Sequence, residues 1–152
     1  MKKPMYVSRK VLNGKDIIEW ARGQGFKSAL AVEALHVTIV YSKEPVDFNN
    51  VEAENKNKVT INNGTRSIET FDGGATVLKF QSKVLAKRQK ELLALGCSCD
   101  YDTYKPHITI TFESDGVDVS GVMPYAGVIK LGPEIVEELN ENWADENEEE
   151  YV

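Results

Sequence analysis

Both histidines of this 152-residue chain stand at the head of the same tetrad. His36-Val37-Thr38-Ile39 and His107-Ile108-Thr109-Ile110 are two copies of His-apolar-Thr-Ile, set 71 positions apart. In a strand, residues i and i+2 project to one face and i+1 and i+3 to the other. His36 and Thr38 would therefore share a polar face while Val37 and Ile39 enter the core, and the second copy would do the same. Two half-buried strands with polar outer faces would show this alternation too, but nothing in packing asks for the same His and Thr twice. Laid side by side, such strands surround one pocket with two imidazoles and two hydroxyls, a set suited to phosphodiester chemistry without a metal. A neutral imidazole takes a proton from the attacking oxygen and a protonated one supplies the departing oxygen, each role typically worth about 10²- to 10⁴-fold. The Thr hydroxyls can donate to non-bridging phosphate oxygens, where charge builds up. The sequence leaves open which histidine is acid and which base.

The elements that must position the tetrads read as two similar halves. Alternation over Met5 to Leu12 predicts a first strand, and Asn13-Gly14 turns into a helix near Lys15 to Gln24 with Ile17, Ile18 and Ala21 as its apolar stripe. The first tetrad lies on a strand from Leu35 to Ser42, closed by Pro45, and the polar run Asn49 to Asn57 reads as an exposed connection. Lys58 to Ile61, Arg66 to Phe71 and Ala75 to Gln81 read as short strands parted by Asn62-Asn63-Gly64 and Asp72-Gly73-Gly74. Ser82 is placed to cap a helix running to Leu95, with Gly96 stopping it. The second tetrad opens a strand from His107 to Glu113, and Tyr125 to Leu131 with Glu134 to Leu139 reads as a closing hairpin about Gly132-Pro133, a short helix being the alternative for the second arm. Residues 1–143 are expected to form one domain and residues 144–152 an acidic, solvated tail.

Composition narrows the classes. At 41% apolar residues the chain can bury one sizeable core. Its formal charge of −6 is misleading, because residues 133–152 hold nine acids and no Lys or Arg. Residues 1–132 therefore carry 18 bases against 15 acids, a net of +3. That is too weak for a stable nucleic-acid duplex partner but compatible with a small anion bearing two or three phosphates. Cys97 and Cys99 are too few and too close for a disulfide framework, which suits a reducing cytoplasm. No membrane partner is expected, since no stretch approaches the length of a spanning segment. No cofactor and no metal are expected either: the histidines and cysteines lack ligand spacing, and there is no phosphate-cradling Gly-rich loop or nucleophile elbow. Oligomeric state is not readable.

Around the four motif residues stands a second tier. Tyr6, Arg9 and Lys10 lie on the first strand, and Tyr104 and Lys105 immediately precede the second tetrad. Tyr6 is placed to stack on a base and Lys105 to hold a phosphate or ribose. Arg9 and Lys10 also suit an ordinary surface, and Trp20, at a core-type helical spacing, suits packing.

The paired H-x-T-x motifs resemble those of the two-histidine (2H) phosphoesterase family. Leu35 to Val46 (LHVTIVYSKEPV) is similar to that family's first-lobe strand, Tyr104 to Phe112 (YKPHITITF) to its second, and Gly127 to Leu139 to its last strands. The resemblance implies an α+β fold, two-lobed and internally duplicated, with mainly antiparallel sheets and flanking helices. Within that family the chain most resembles the tailed-phage anti-CBASS phosphodiesterases, which implies a cyclic oligonucleotide substrate met in the host cytoplasm. It also implies that the C-terminal segment closes over the nucleotide, recruiting Trp143 and one of Glu137, Glu138 or Glu141, whose carboxylate would accept an exocyclic amino proton. Alternatives are an RNA-end or 2′–5′-oligonucleotide phosphodiesterase of the same fold and, from another class, a sponge that binds the signal without cleaving it.

Overall fold

The structure, a computed structural model, describes residues 2–54, 56–71, 74–99, 103–112, 118–139 and 148–150. In chain order the elements are β1 (Lys2–Val11), α1 (Gly14–Gly23), β2 (Ser28–Leu30), β3 (His36–Asp47), β4 (Val59–Ile61), β5 (Ser67–Thr70), β6 (Thr76–Lys79), α2 (Lys83–Ala94), β7 (His107–Thr111), β8 (Ile129–Glu138) and β9 (Glu148–Glu150). This is an α+β architecture. Seven strands form one sheet in the order β4-β8-β1-β3-β7-β6-β5, every pairing antiparallel. The two expected lobes are thus the two wings of one sheet. They join where the tetrad strands β3 and β7 meet, with Val37 opposite Ile108.

The helices form where periodicity predicts and for the expected reasons. Ile17, Ile18 and Ala21 form the buried stripe of α1, and Gly25 at φ 96° lets the chain leave it. The Ser82 hydroxyl accepts the Leu85 N–H at 3.2 Å as the N-cap of α2, and Leu85, Gln89 and Leu92 face inward. Ile17, Ile18 and Ala21 of α1 and Leu85 and Leu92 of α2 join one apolar cluster with Met5, Val7, Val37, Ile39, Ile108 and Ile110 from the sheet. One face of the sheet is therefore the core wall, and the polar members of the tetrads occupy the other.

Three expectations are corrected. Strand β3 does not stop at Pro45 but runs to Asp47. Its register with β1 slips between Lys3 and Met5, so Pro45 falls in an irregular stretch where its missing N–H costs no ladder bond. Gly132-Pro133 does not turn a hairpin. It lies within the single strand β8, opposite a register shift in β1 between Arg9 and Val11. The Arg9 guanidinium there donates to the Gly132 carbonyl at 2.8 Å. Glu148–Glu150, expected in a solvated tail, pairs with Ser28–Leu30. A strand ladder uses backbone groups that every residue carries, so an acidic composition does not forbid it.

Candidate active site

Antiparallel pairing of two identical tetrads has a geometric consequence. With Val37 opposite Ile108, extending the register by one residue sets His36 across from Thr109 and Thr38 across from His107. Directly opposed residues share a face, so the four side chains form a crossed square related by a local two-fold axis through the Val37–Ile108 pair. Val37 and Ile108 are fully buried on the opposite face, whereas His36, Thr38, His107 and Thr109 are half-buried.

The duplication extends to the backbone irregularities. In β3 the register with β1 steps from Ser8–Thr38 to Val7–Val40, leaving Ile39 as an extra residue. In β7 the register with β6 steps from Val77–Thr109 to Thr76–Thr111, leaving Ile110 as the extra residue. Each bulge thus falls on the fourth residue of its tetrad, turning two consecutive residues, Ile39-Val40 and Ile110-Thr111, into the interior. In β3 this returns Tyr41 to the polar face, where it packs edge-on to Tyr6 with ring centroids 6.0 Å apart.

Backbone carbonyls fix both imidazoles in the same way. His36 Nδ1 bonds the Ala34 carbonyl and His107 Nδ1 the Lys105 carbonyl, each at 2.8 Å. A carbonyl only accepts, so each ring donates from Nδ1 and, when neutral, presents an acceptor lone pair on Nε2. Tyr6 Oη lies 2.6 Å from His36 Nε2 and 2.5 Å from Thr38 Oγ1. With His36 neutral, Tyr6 donates to Nε2 and Thr38 donates to Tyr6. Tyr104 donates to the Thr38 carbonyl at 2.8 Å, tying the loop before the second tetrad to the backbone of the first. Around His107 the surroundings differ: the Phe71 ring lies edge-on with centroids 5.0 Å apart, and Lys79, opposite His107 in the register, pairs with Glu69 at 2.6 Å.

Burial dominates the electrostatics. Desolvation lowers the pKa of His36 below its ordinary value against the raising effect of the Ala34 carbonyl, and the nearby His107 lowers it further. His107 is also lowered, first by burial, with the Lys105 carbonyl raising it, Lys79 lowering it and Glu69 raising it. Burial pushes the Tyr6 hydroxyl up to about 12, with the Thr38 bond opposing and the Glu137 charge adding, so Tyr6 is a neutral hydrogen-bonding group at physiological pH.

The structure brings the four motif residues and Tyr6 together. Tyr6 sits within hydrogen-bond reach of the first tetrad, edge-on to His36 at 6.0 Å, and not on an open surface. Lys105 is exposed, and its carbonyl holds His107. Glu137 is exposed and stands opposite Tyr6 in the β1–β8 register, while the neighbouring Glu138 pairs with Lys3 at 3.7 Å. Trp143 and Glu141 lie outside the described residues. Arg9 is buried and bonds the carbonyls of Asn57 and Gly132, a structural tie, while Lys10 is exposed opposite His36. Trp20 donates to the Met123 carbonyl at 2.8 Å and packs against Phe26 and Tyr125. Sequence reasoning assigned no role to Tyr41, Tyr104, Phe71, Lys79 or Glu69; the Tyr104-Lys105 dipeptide ahead of the tetrad was the one visible signal among them.

The fold is that of the 2H phosphoesterases. The chain superposes on E. coli LigT, solved in complex with 3′-AMP, with a TM-score of 0.61 at 12% identity, covering 90% of this chain and 87% of that one. A second solved phosphoesterase gives a TM-score of 0.60 at 13% identity over 90% and 87% of the two chains. Within that fold the chain belongs to the family described as Anti-CBASS protein Acb1, which it matches over residues 3–146. Relatives carrying that description occur in Caulobacter sp. (strain RHG1), 43% identical over 148 residues, and in Sphingomonas paeninsulae, 41% identical over 148. These alignments take in 94% and 93% of this chain, which spans about a quarter (24%) of each relative. The relative in Enterobacteria phage T4 is 32% identical over 114 residues, covering 75% of this chain and 72% of that protein.

Proposed function

We propose that this chain is a metal-independent phosphodiesterase that opens 3′–5′ cyclic di- and trinucleotides, such as cyclic GMP-AMP and cyclic tri-AMP, and so counters CBASS immunity in the host cytoplasm. The observation that carries the reading is the crossed square of two imidazoles and two threonines, each ring presenting Nε2 to one face. Membership of the anti-CBASS family supports the substrate class.

The chemistry follows from the donors and acceptors present. The neutral imidazole takes the proton of a ribose 2′-OH through Nε2. That oxygen bonds the adjacent phosphorus while the bond from phosphorus to the departing 5′-oxygen breaks, and the protonated imidazole delivers its Nε2 proton to that oxygen. The ring opens to a linear species ending in a 2′,3′-cyclic phosphate, which water opens to a 3′-phosphate with the two imidazoles in exchanged roles. Thr38, its hydroxyl turned from Tyr6 to the phosphate as the nucleotide enters, and Thr109 donate to the non-bridging oxygens, where charge grows in the transition state. We assign the base to His36, because in the empty site the Tyr6 hydroxyl bonds the lone pair of its neutral form, a place the 2′-OH takes when the nucleotide enters, and the acid to His107. Tyr6, Lys105, Glu137 and Trp143 are assigned to holding the nucleotide, Tyr6 through the same hydroxyl that orders His36.

The experiment is a panel of cyclic di- and trinucleotides, each in ribose and 2′-deoxyribose form, incubated with the chain and resolved by chromatography. The ribose rings should open and the deoxy rings should bind yet stay closed. A sponge would leave both intact, and opening of the deoxy rings would refute the 2′-OH as nucleophile.

A further inference from the structure

The two-fold relation between the wings reaches one strand beyond the tetrads. Lys10 of β1 stands opposite His36, and Lys79 of β6 stands opposite His107. Other positions on these outer strands do not repeat: Ser8, opposite Thr38, corresponds to Val77, opposite Thr109, and Arg9 corresponds to Leu78. A cation thus follows the same symmetry as the histidines and threonines where its neighbours do not. From β1 across β3 and β7 to β6 are three strand spacings, about 14 Å at about 4.8 Å each, with the crossed square midway between the lysines.

The Lys79 position already holds an anion. Its ammonium lies 2.6 Å from Glu69 Oε2. The same carboxylate is drawn down in pKa first by its Lys79 bond and also by the charges of Lys105 and His107. A carboxylate oxygen among three groups able to carry positive charge, bonded to a lysine one strand from the square, sits where a phosphate oxygen would be held. Lys10 is exposed.

We propose that Lys10 and Lys79 are matched subsites for the phosphates on either side of the scissile one, and that Glu69 fills the Lys79 subsite until a substrate phosphate displaces it. This rests on the cyclic-oligonucleotide reading of the central square. A two-phosphate ring has one phosphate besides the scissile one and engages one lysine, whereas a three-phosphate ring has two and engages both.

The test is calorimetric binding of a linear 2′-O-methyl tetraadenylate, whose three phosphodiesters can fill the square and both lysines and which lacks the nucleophile, across a salt series. Each lysine–phosphate contact contributes about 0.7 to the slope of log K against log salt for a single strand. Lys10→Met and Lys79→Met should each lower the slope by about that amount and weaken binding at low salt by about 2- to 5-fold. Glu69→Gln should strengthen binding by a similar factor. Lys79→Met and Glu69→Gln break the same ion pair, so a merely structural cross-strand pair would shift affinity in one direction for both. That outcome, or unchanged slopes in both lysine variants, overturns the proposal. Ring opening by the unmodified chain is scored separately. Opening with lysine-independent binding removes the subsites alone, and lysine-dependent binding without opening of any ring removes the functional reading alone.

Discussion

Titration of the paired imidazoles should give two pH profiles that differ in a calculable way. His36 and His107 occupy diagonal corners of the crossed square, which sets their side chains about 7–8 Å apart. At that distance two unit charges repel by about 0.5–2 kcal/mol for an effective dielectric between about 80 and 20, which separates their apparent pKa values by about 0.4–1.6 units. Burial has already lowered both below the ordinary value of 6.5. The active state carries one proton on the pair, so kcat/KM, which reports the free enzyme, should be bell-shaped with its maximum below 6.5. The profile should then fall tenfold per unit, losing about 100-fold two units above the upper pKa. A bound phosphodiester brings a negative charge to roughly 4 Å, an attraction of about 1–4 kcal/mol over the same dielectric range, and raises both values by about 0.7–3 units. The kcat profile, which reports the complex, must therefore lie to the alkaline side of the kcat/KM profile. Steady-state turnover of a cyclic dinucleotide, measured by chromatography at constant ionic strength from about pH 4.5 to 9, yields both curves. A kcat/KM maximum above neutrality, or a kcat curve displaced to the acid side, would refute the assignment of proton transfer to these two residues.

His36→Ala and His107→Ala should each lower turnover by about 10²- to 10⁴-fold, with the double variant little worse than the poorer single one. A ring whose departing 5′-oxygen is replaced by sulfur separates the roles. A thiolate leaves without protonation, so this substrate should restore His107→Ala and not His36→Ala, and the reverse pattern would exchange acid and base. Away from the site, Arg88 makes three bonds of 2.8–3.2 Å to the fully buried Glu134 carboxylate, which also accepts the Glu54 N–H. Arg88→Met strands that charge and should cost about 3–5 kcal/mol, a melting-temperature drop on the order of 10 °C, with most of it recovered by also replacing Glu134 with Leu. A double variant no more stable than the single one by thermal denaturation would contradict the stranded-charge account.

What the sequence disclosed tracks what local physics determines. Alternation through the tetrads put His36, Thr38, His107 and Thr109 on polar faces, and the cap at Ser82 with the stop after Leu95 bounded α2 within one residue. The misplaced boundaries share one cause, because proline and glycine read as punctuation in the sequence where the register absorbs them. Pro45 sits in a slipped stretch of β3, and Gly132-Pro133 lies across from the irregularity in β1, features fixed by the partner strand and invisible in either segment alone. The bulges at Ile39 and Ile110 are hidden for the same reason, since isoleucine is apolar whether it continues an alternation or breaks it. Tyr6 was found as an aromatic near the site, but its contact with His36 depends on β1 pairing with β3, a long-range fact.

The crossed square also accounts for how one duplicated motif would supply the asymmetric reaction proposed for it. Two copies of His-x-Thr in antiparallel register generate equivalent imidazoles, each with a threonine across the strand and an Nδ1–H bonded to a carbonyl two residues earlier. Equivalent groups suit a reaction run in two steps with acid and base exchanged, because whichever ring ends the first step protonated begins the second as the acid. The order of the first step must then come from outside the repeated unit. The structure supplies two unmatched features: the Tyr6 hydroxyl on Nε2 of His36, and the Lys79–Glu69 pair with Phe71 around His107. Removing the first, as in Tyr6→Phe, takes away the feature that favours neutral His36 while leaving both Nδ1 anchors. The distinction between the 5′-thio rescue of the two alanine variants should therefore narrow in a Tyr6→Phe background. An undiminished distinction would place the source of the asymmetry on the His107 side.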